Sequence, residues 1–353
     1  MGQNKKKIEQ EIGLINQISD GSMGIQRKVS RVITPIDVNV EGVKTIGAAD
    51  TITKAYIREN AVFADAFNYF IYKGSQVVSP EELQEVDTTE IIIPFNTYDE
   101  SKDEKKSAAV QKYRDVLKST VIMQDSQAAY ILLGIENQTN IHYAMPVRNG
   151  IYDFLQYGKQ VSDIAARHRK QKDKAGSSAE FLSGFYKTDK IVPVVTLVVY
   201  FGADEWDGPI KLTDMMENLS PVLTEYVQDY KIHLIQPFGI SDVDLQKFQS
   251  SLREVLCCIK YSKDKEKLWN FMKDNPRMNM DVVAARVIEV MTNMSIEIPA
   301  GEKEIDMCKA VEDMIQDGKF EILINLVRDG ILSVQDAAQR INMTEDEFRA
   351  KMK

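Results

Sequence analysis

The sequence predicts an α/β fold, a mixed β-sheet flanked by helices and followed by an all-α C-terminal region. Three observations carry this reading. Residues 116–123 (VLKSTVIM) and 128–135 (AAYILLGI) both read as strands and are separated by the polar tetrapeptide Gln124-Asp125-Ser126-Gln127, the signal of a β-hairpin. Residues 191–201 (IVPVVTLVVYF) are almost continuously apolar and β-branched, as in a strand covered on both faces. Beyond Ser220 the chain reads as helical nearly to its end.

Taken in order, residues 1–47 form a weakly patterned extension punctuated by Gly13, Gly21, Gly24 and Gly42. A core region is expected over 48–220 and a helical region over 221–353. From Asp50 a single helix is expected, with Ala61, Phe63, Ala64, Phe67 and Phe70 on its apolar face and Gly74 as its stop. Pro80 suits the first position of a short helix. Residues 91–93 read as a short strand ended by Pro94, and 99–106 (DESKDEKK) as a charged loop. After the hairpin, a helix over 147–168 has Ile151, Phe154, Leu155, Val161 and Ile164 as its predicted apolar side. Helices are then expected over 241–259, 264–273, 281–294 and 302–328. The tail, 333–352, has helix-turn-helix character, with Ser333 as one cap and Thr344 with Glu347 as a capping box. Its second helix opens Glu345-Asp346-Glu347, the wrong charge for DNA, so a helical hairpin that packs on protein is the better expectation.

Composition narrows the function classes. The 353 residues are 44% hydrophobic and 27% charged, ordinary for a soluble globular protein. The absence of a long apolar run or an apolar leader reads as a cytoplasmic protein. Three cysteines and three histidines at unfamiliar spacing exclude a disulfide framework and a Cys/His zinc site. A net charge of −9 argues against coating nucleic acid by global attraction, but residues 159–174 concentrate Lys159, Arg167, Arg169, Lys170, Lys172 and Lys174. That cluster reads either as a solvated helix end or as a local basic surface.

The chemistry-bearing feature is the hairpin. If Met123 pairs with Ala128, counting outward sets Asp115 opposite Glu136, and side-chain alternation brings Gln138 to the same face. Directly opposed carboxylates repel, so they need compensation, for which a hard divalent cation is the natural candidate. On spacing alone, a pair of solvated strand ends is an equal alternative.

The segments Tyr113-Arg114-Asp115-Val116-Leu117 and Gly134-Ile135-Glu136-Asn137-Gln138, with Arg148 and Tyr152 after them, resemble the Rpn family of recombination-promoting nucleases, the YhgA-like transposases of the PD-(D/E)xK nuclease superfamily. The segments 63–69 (FADAFNY), 79–83 (SPEEL), 192–198 (VPVVTLV), 206–209 (WDGP) and 329–332 (DGIL) extend the resemblance over about 48–353. It implies a PD-(D/E)xK core and a Mg²⁺- or Mn²⁺-dependent DNA endonuclease linked to recombination or a mobile element. Asp115 and Glu136 would hold the metal and, with Gln138, form the catalytic set. Gln138 stands where most of the superfamily has lysine. Arg148, Tyr152, Arg169 and Lys170 would bind substrate, which is DNA without strong sequence preference, and a homodimer would suit cleavage of both strands. Asp50 and Lys54 resemble a further family pair of unassigned role. The alternative reading is a catalytically idle nucleic-acid-binding or protein-interaction module.

Overall fold

The computed structural model describes residues 46–352 apart from 87–88, 93–109, 114, 125–126, 218–219, 274 and 300. They belong to one compact unit, Thr45–Lys353. The reading of 1–47 as an extension therefore falls almost wholly outside the described residues, as does the loop expected at 99–106.

The single helix expected from Asp50 is two, α1 (Ile46–Arg58) and α2 (Asn60–Phe70), separated at Glu59, whose backbone is extended. No local breaker explains the interruption. Its partner is distant in sequence: the buried Lys118 ammonium donates to the Arg58 carbonyl at 2.6 Å and to the Asn60 side chain, so a strand lysine caps the end of α1. Four strands precede the site, β1 (Gln84–Glu85), β2 (Thr89–Ile92), β3 (Val110–Tyr113) and β4 (Val116–Gln124). Then come β5 (Gln127–Gln138), helix α3 (Met145–Gln171), β6 (Val194–Tyr200) and β7 (His233–Ile235).

The main sheet runs β1-β4-β5-β6-β7; β4 is antiparallel to β5, and β5, β6 and β7 are mutually parallel. The hairpin register is the one counted from the sequence, with Met123 opposite Ala128 and Val116 opposite Ile135. Its turn is tighter than expected, because Gln124 and Gln127 pair as well. Pro193 lies just before β6, where its missing N–H costs no ladder bond. β7 has only three residues, too few for alternation to reveal it in a stretch read as helical.

One sheet face carries Leu133, Ile135, Leu197, Val199 and Phe201, and packs in the main core with α1, α2, α4 (Leu252–Tyr261) and α6 (Val282–Thr292). Between those two helices lies α5 (Lys265–Met272), and after them come α7 (Met307–Arg328), α8 (Val334–Arg340) and α9 (Glu345–Lys351). The residues beyond 220 are thus mainly helical. A small hairpin, β8 (Asn279–Asp281) with β9 (Glu304–Asp306), interrupts them. The tail is a helical hairpin: Phe348, Ala337, Ala338 and Leu323 form its core, and both predicted caps are present.

Two residues of the family-like segment 63–69 turn out to hold the fold. Buried Asp65 accepts from the Gln249 and Ser250 amides at 2.8–3.0 Å and from the Ser250 hydroxyl at 2.6 Å, tying α2 to the start of α4. Buried Asn68 accepts from the Val77 and Val78 amides and donates to the Val78 carbonyl.

The opposite sheet face is covered by α3, which closes the parallel β5-α3-β6 unit and so runs back from the carboxyl ends of the strands. Here the predicted apolar side is corrected. Ile164 is buried, but Ile151, Phe154 and Val161 are exposed, and the residues facing inward are Asn149, Tyr152, Asp153 and Gln156. The helix docks through polar contacts along much of its length, with Met145, Ile164 and Ala165 as its buried aliphatic residues. Thr196 donates to Asp153 at 2.6 Å, Tyr230 also donates to Asp153, and Gln160 exchanges two hydrogen bonds with the Val192 backbone. Ile151, Phe154 and Val161 thus depart from the usual rule that the apolar stripe of a helix faces the core.

Candidate active site at the carboxyl end of the hairpin

The fold brings five sequence-predicted residues together at one end of the sheet. Glu136 and Gln138 lie at the carboxyl end of β5, paired with Val198 and Tyr200 of β6, and alternation points both toward α3. Asn137 points the other way, where its amide donates to Thr53 of α1 at 2.8 Å. Asp115 immediately precedes β4, one residue beyond the last ladder pair, Val116 with Ile135. Its carboxylate folds over the end of the sheet, where Oδ2 accepts from the Asn137 amide at 2.9 Å.

Both acids are taken out of solvent. The Asp115 side chain is 5% exposed and that of Glu136 is 0%. Each has a cation set against it, from opposite sides of the sheet. Arg148 in the first turns of α3 reaches Glu136 Oε2 at 3.0 Å, and Lys54 of α1 lies 3.1 Å from Asp115 Oδ1 and 2.7 Å from Asp50. Burial works against charge on the Arg148 guanidinium, but Glu136, Tyr152 and Asp115 outweigh it and hold its pKa above the ordinary value. The same balance raises Lys54, with burial opposed by Asp50 and Asp115. Tyr152, stacked 5.8 Å under Arg148, is pushed up by burial and then by the Glu136 charge. Gln138 donates from its amide to the Asn137 carbonyl at 2.8 Å, which fixes its orientation.

The loop that leads into α3 forms one rim. Tyr143 donates to Asp207 at 3.2 Å, and the Trp206 indole donates to the Gly208 carbonyl at 3.0 Å, so the family-like segment 206–209 borders the site.

Two predicted substrate residues are not brought there. Arg169 and Lys170 sit in the last turn of α3, about 31 Å along the helix from Arg148 at 1.5 Å per residue. In turn, Lys54 enters the site although no role was assigned to it from sequence; only the resemblance of the Asp50 and Lys54 pair pointed to it.

Among the described residues no group of three or more His, Cys, Asp or Glu is arranged to hold a metal ion. The acid pair offers two oxygen-bearing side chains, a donor set that fits a Mg²⁺ site, where one or two carboxylates suffice beside waters and substrate phosphate, and not a four-ligand zinc cage.

These features define an α/β protein with a buried acid pair, each acid matched to a basic side chain, at the carboxyl ends of a mixed sheet. Residues 107–281 match the family described as "Putative transposase, YhgA-like", a segment that spans the acid pair, α3 and strands β3 to β7. The curated proteins and the solved structures give no match to the chain. No described helix is long and apolar enough to cross a membrane.

Proposed function

We propose that the protein is a metal-dependent DNA endonuclease of the PD-(D/E)xK kind, acting in recombination or on a mobile element. The observation that carries the reading is the convergence of Asp115, Glu136 and Gln138 at one strand end, with Arg148 and Lys54 against the two acids. The match of residues 107–281 to a family described as transposases supports DNA as the substrate.

Asp115 and Glu136 would hold Mg²⁺ or Mn²⁺, which supplies a nucleophilic water and screens charge on the phosphate oxygens. Arg148 binds a nonbridging phosphate oxygen, where its planar guanidinium can engage two oxygens at once. Tyr152 packs against Arg148 and limits its rotamers. The amide of Gln138 orients the attacking water by hydrogen bonding but cannot contribute charge. That charge comes from Lys54: its ammonium, 3.1 Å from Asp115 and held above its ordinary pKa, against burial, by Asp50 and then Asp115, supplies the cation that most of the superfamily takes from the position of Gln138. On this account Lys54→Ala loses cleavage, whereas Gln138→Lys retains it.

The test is a titration of Mg²⁺ or Mn²⁺ into the wild type and Asp115→Ala, reading thermal stabilisation and plasmid nicking together. Stabilisation and nicking in the wild type and neither in the variant are expected. Wild-type protein that retains DNA but neither binds metal nor cleaves would favour the idle binding module instead.

A further inference from the structure

The inverted packing of α3 leaves an ordered apolar seam on its outer face. Val147, Ile151, Phe154, Gly158, Val161 and Ala165 follow one another at intervals of 4, 3, 4, 3 and 4 residues. That is the 3.5-residue repeat of a helix meant to pack along a second helix. Phe154 is 69% exposed, and Val147, Ile151 and Val161 are also exposed, while Ala165, the last position of the repeat, is buried against Gly184. Gly158 lies in the middle of the seam. A Cβ there would meet nothing within 4 Å, so nothing within the chain requires glycine at this site, although glycine costs a helix interior about 1 kcal/mol relative to alanine.

We infer that this face joins a second copy of the chain, with the two α3 helices antiparallel about a twofold axis at the level of Gln156. A twofold interface demands self-complementarity, and the seam has it. The spacing of the seam reads the same in both directions, so antiparallel pairing sets Phe154 against the partner's Gly158 and Ile151 against the partner's Val161, with Val147 at the level of the partner's buried Ala165. The largest side chain meets the position with none, and aliphatic residues meet aliphatic residues. The seam holds no charged side chain, as expected at the centre of an interface.

Area supports the same conclusion. Phe181 and Leu182, 78% and 83% exposed, lie within a turn of Gly184 and prolong the apolar surface at the Ala165 end. With the four exposed seam side chains they offer on the order of 600 Å², most of the roughly 800 Å² that a stable dimer buries on each partner.

The pairing also completes the candidate site. Within one chain Arg169 and Lys170 are a helix length away from Arg148. Across the twofold axis, the partner's Arg169 falls beside Tyr143, on the loop that leads into Arg148. Each site would then draw a basic pair from the other copy, and the two Arg148 residues would be separated along the helices by roughly 24 Å. The interface rests on the seam alone; the supply of cations to a DNA site rests also on the proposed function.

Sedimentation velocity of the full chain at about 1–50 µM, with melting temperature read in parallel, tests the interface without reference to cleavage. A dimer is expected for the wild type, and at least tenfold weaker association for Gly158→Leu and Phe154→Asp. Gly158→Leu is decisive, because in a single chain it fills open space and favours the helix, so its melting temperature in the monomer should be no lower. Val243→Asp, on another exposed surface, should leave the dimer intact. A monomeric wild type, a dimer that survives both seam variants, or equal dissociation by Val243→Asp would each overturn the assignment. If the dimer stands but Arg169→Ala and Lys170→Ala leave salt-sensitive DNA retention unchanged, the interface holds and the cation supply fails.

Discussion

Substituting Asp115 in two ways separates its structural duty from its chemical one. In the fold, Asp115 accepts from the Asn137 amide at 2.9 Å, and Asn137 is buried. Asp115→Ala strands that N–H, and a buried donor without an acceptor costs about 1–3 kcal/mol. The lost contact to Lys54 adds little, because that lysine is 40% exposed and keeps Asp50 at 2.7 Å. A loss of about 2 kcal/mol is expected, a fall in melting temperature of roughly 3 °C for a unit of this size. Asp115→Asn retains a carbonyl oxygen for the amide, so its stability should stay within about 0.5 kcal/mol of the wild type. Cleavage should separate from stability, since both variants remove the anionic oxygens that would hold the metal, and both should nick plasmid at least about a hundredfold more slowly. The assay is urea unfolding beside single-turnover nicking in Mg²⁺. If Asp115→Asn unfolds as readily as Asp115→Ala, or nicks at the wild-type rate, the reasoning is refuted.

Two further outcomes follow from contacts elsewhere. Asp65→Ala, which leaves the buried Gln249 and Ser250 amides without their carboxylate, should destabilise by about 3 kcal/mol in denaturant unfolding, with Asp65→Asn recovering part of it. His168 bridges Asp173 and Asp189 at 2.8 and 2.9 Å, and these hydrogen bonds, Asp173 first, raise its pKa above the usual value. A raised histidine contributes stability that is complete below its unfolded pKa and is lost as pH rises through the folded value. The wild type should therefore lose more melting temperature than His168→Gln between pH 6 and pH 9; equal slopes would refute the bridge.

What the sequence made legible was local. The hairpin register from Met123–Ala128 to Val116–Ile135 could be counted because two strand-like runs flank a short polar loop. Residues 194–200 declared themselves by continuous β-branched apolar character, and Ser333 and Thr344 by cap chemistry. What stayed hidden depends on distant partners. The break at Glu59 is made by Lys118, some sixty residues on, and β7 is too short to carry a pattern. The approach of Lys54 to Asp115 joins a helix and a strand end that only the folded sheet brings together. The orientation of α3 is hidden for a different reason: Ile151, Phe154 and Val161 do form a face, but one turned away from this chain.

The most direct test of the central claim is nicking of supercoiled plasmid by wild type and Glu136→Gln, each in Mg²⁺ and in EDTA. Conversion to open circles by wild type in Mg²⁺ alone, with the Gln variant folded and inactive, is the predicted result. Equal conversion by both proteins, or conversion that persists in EDTA, would contradict a metal-dependent site built on the acid pair.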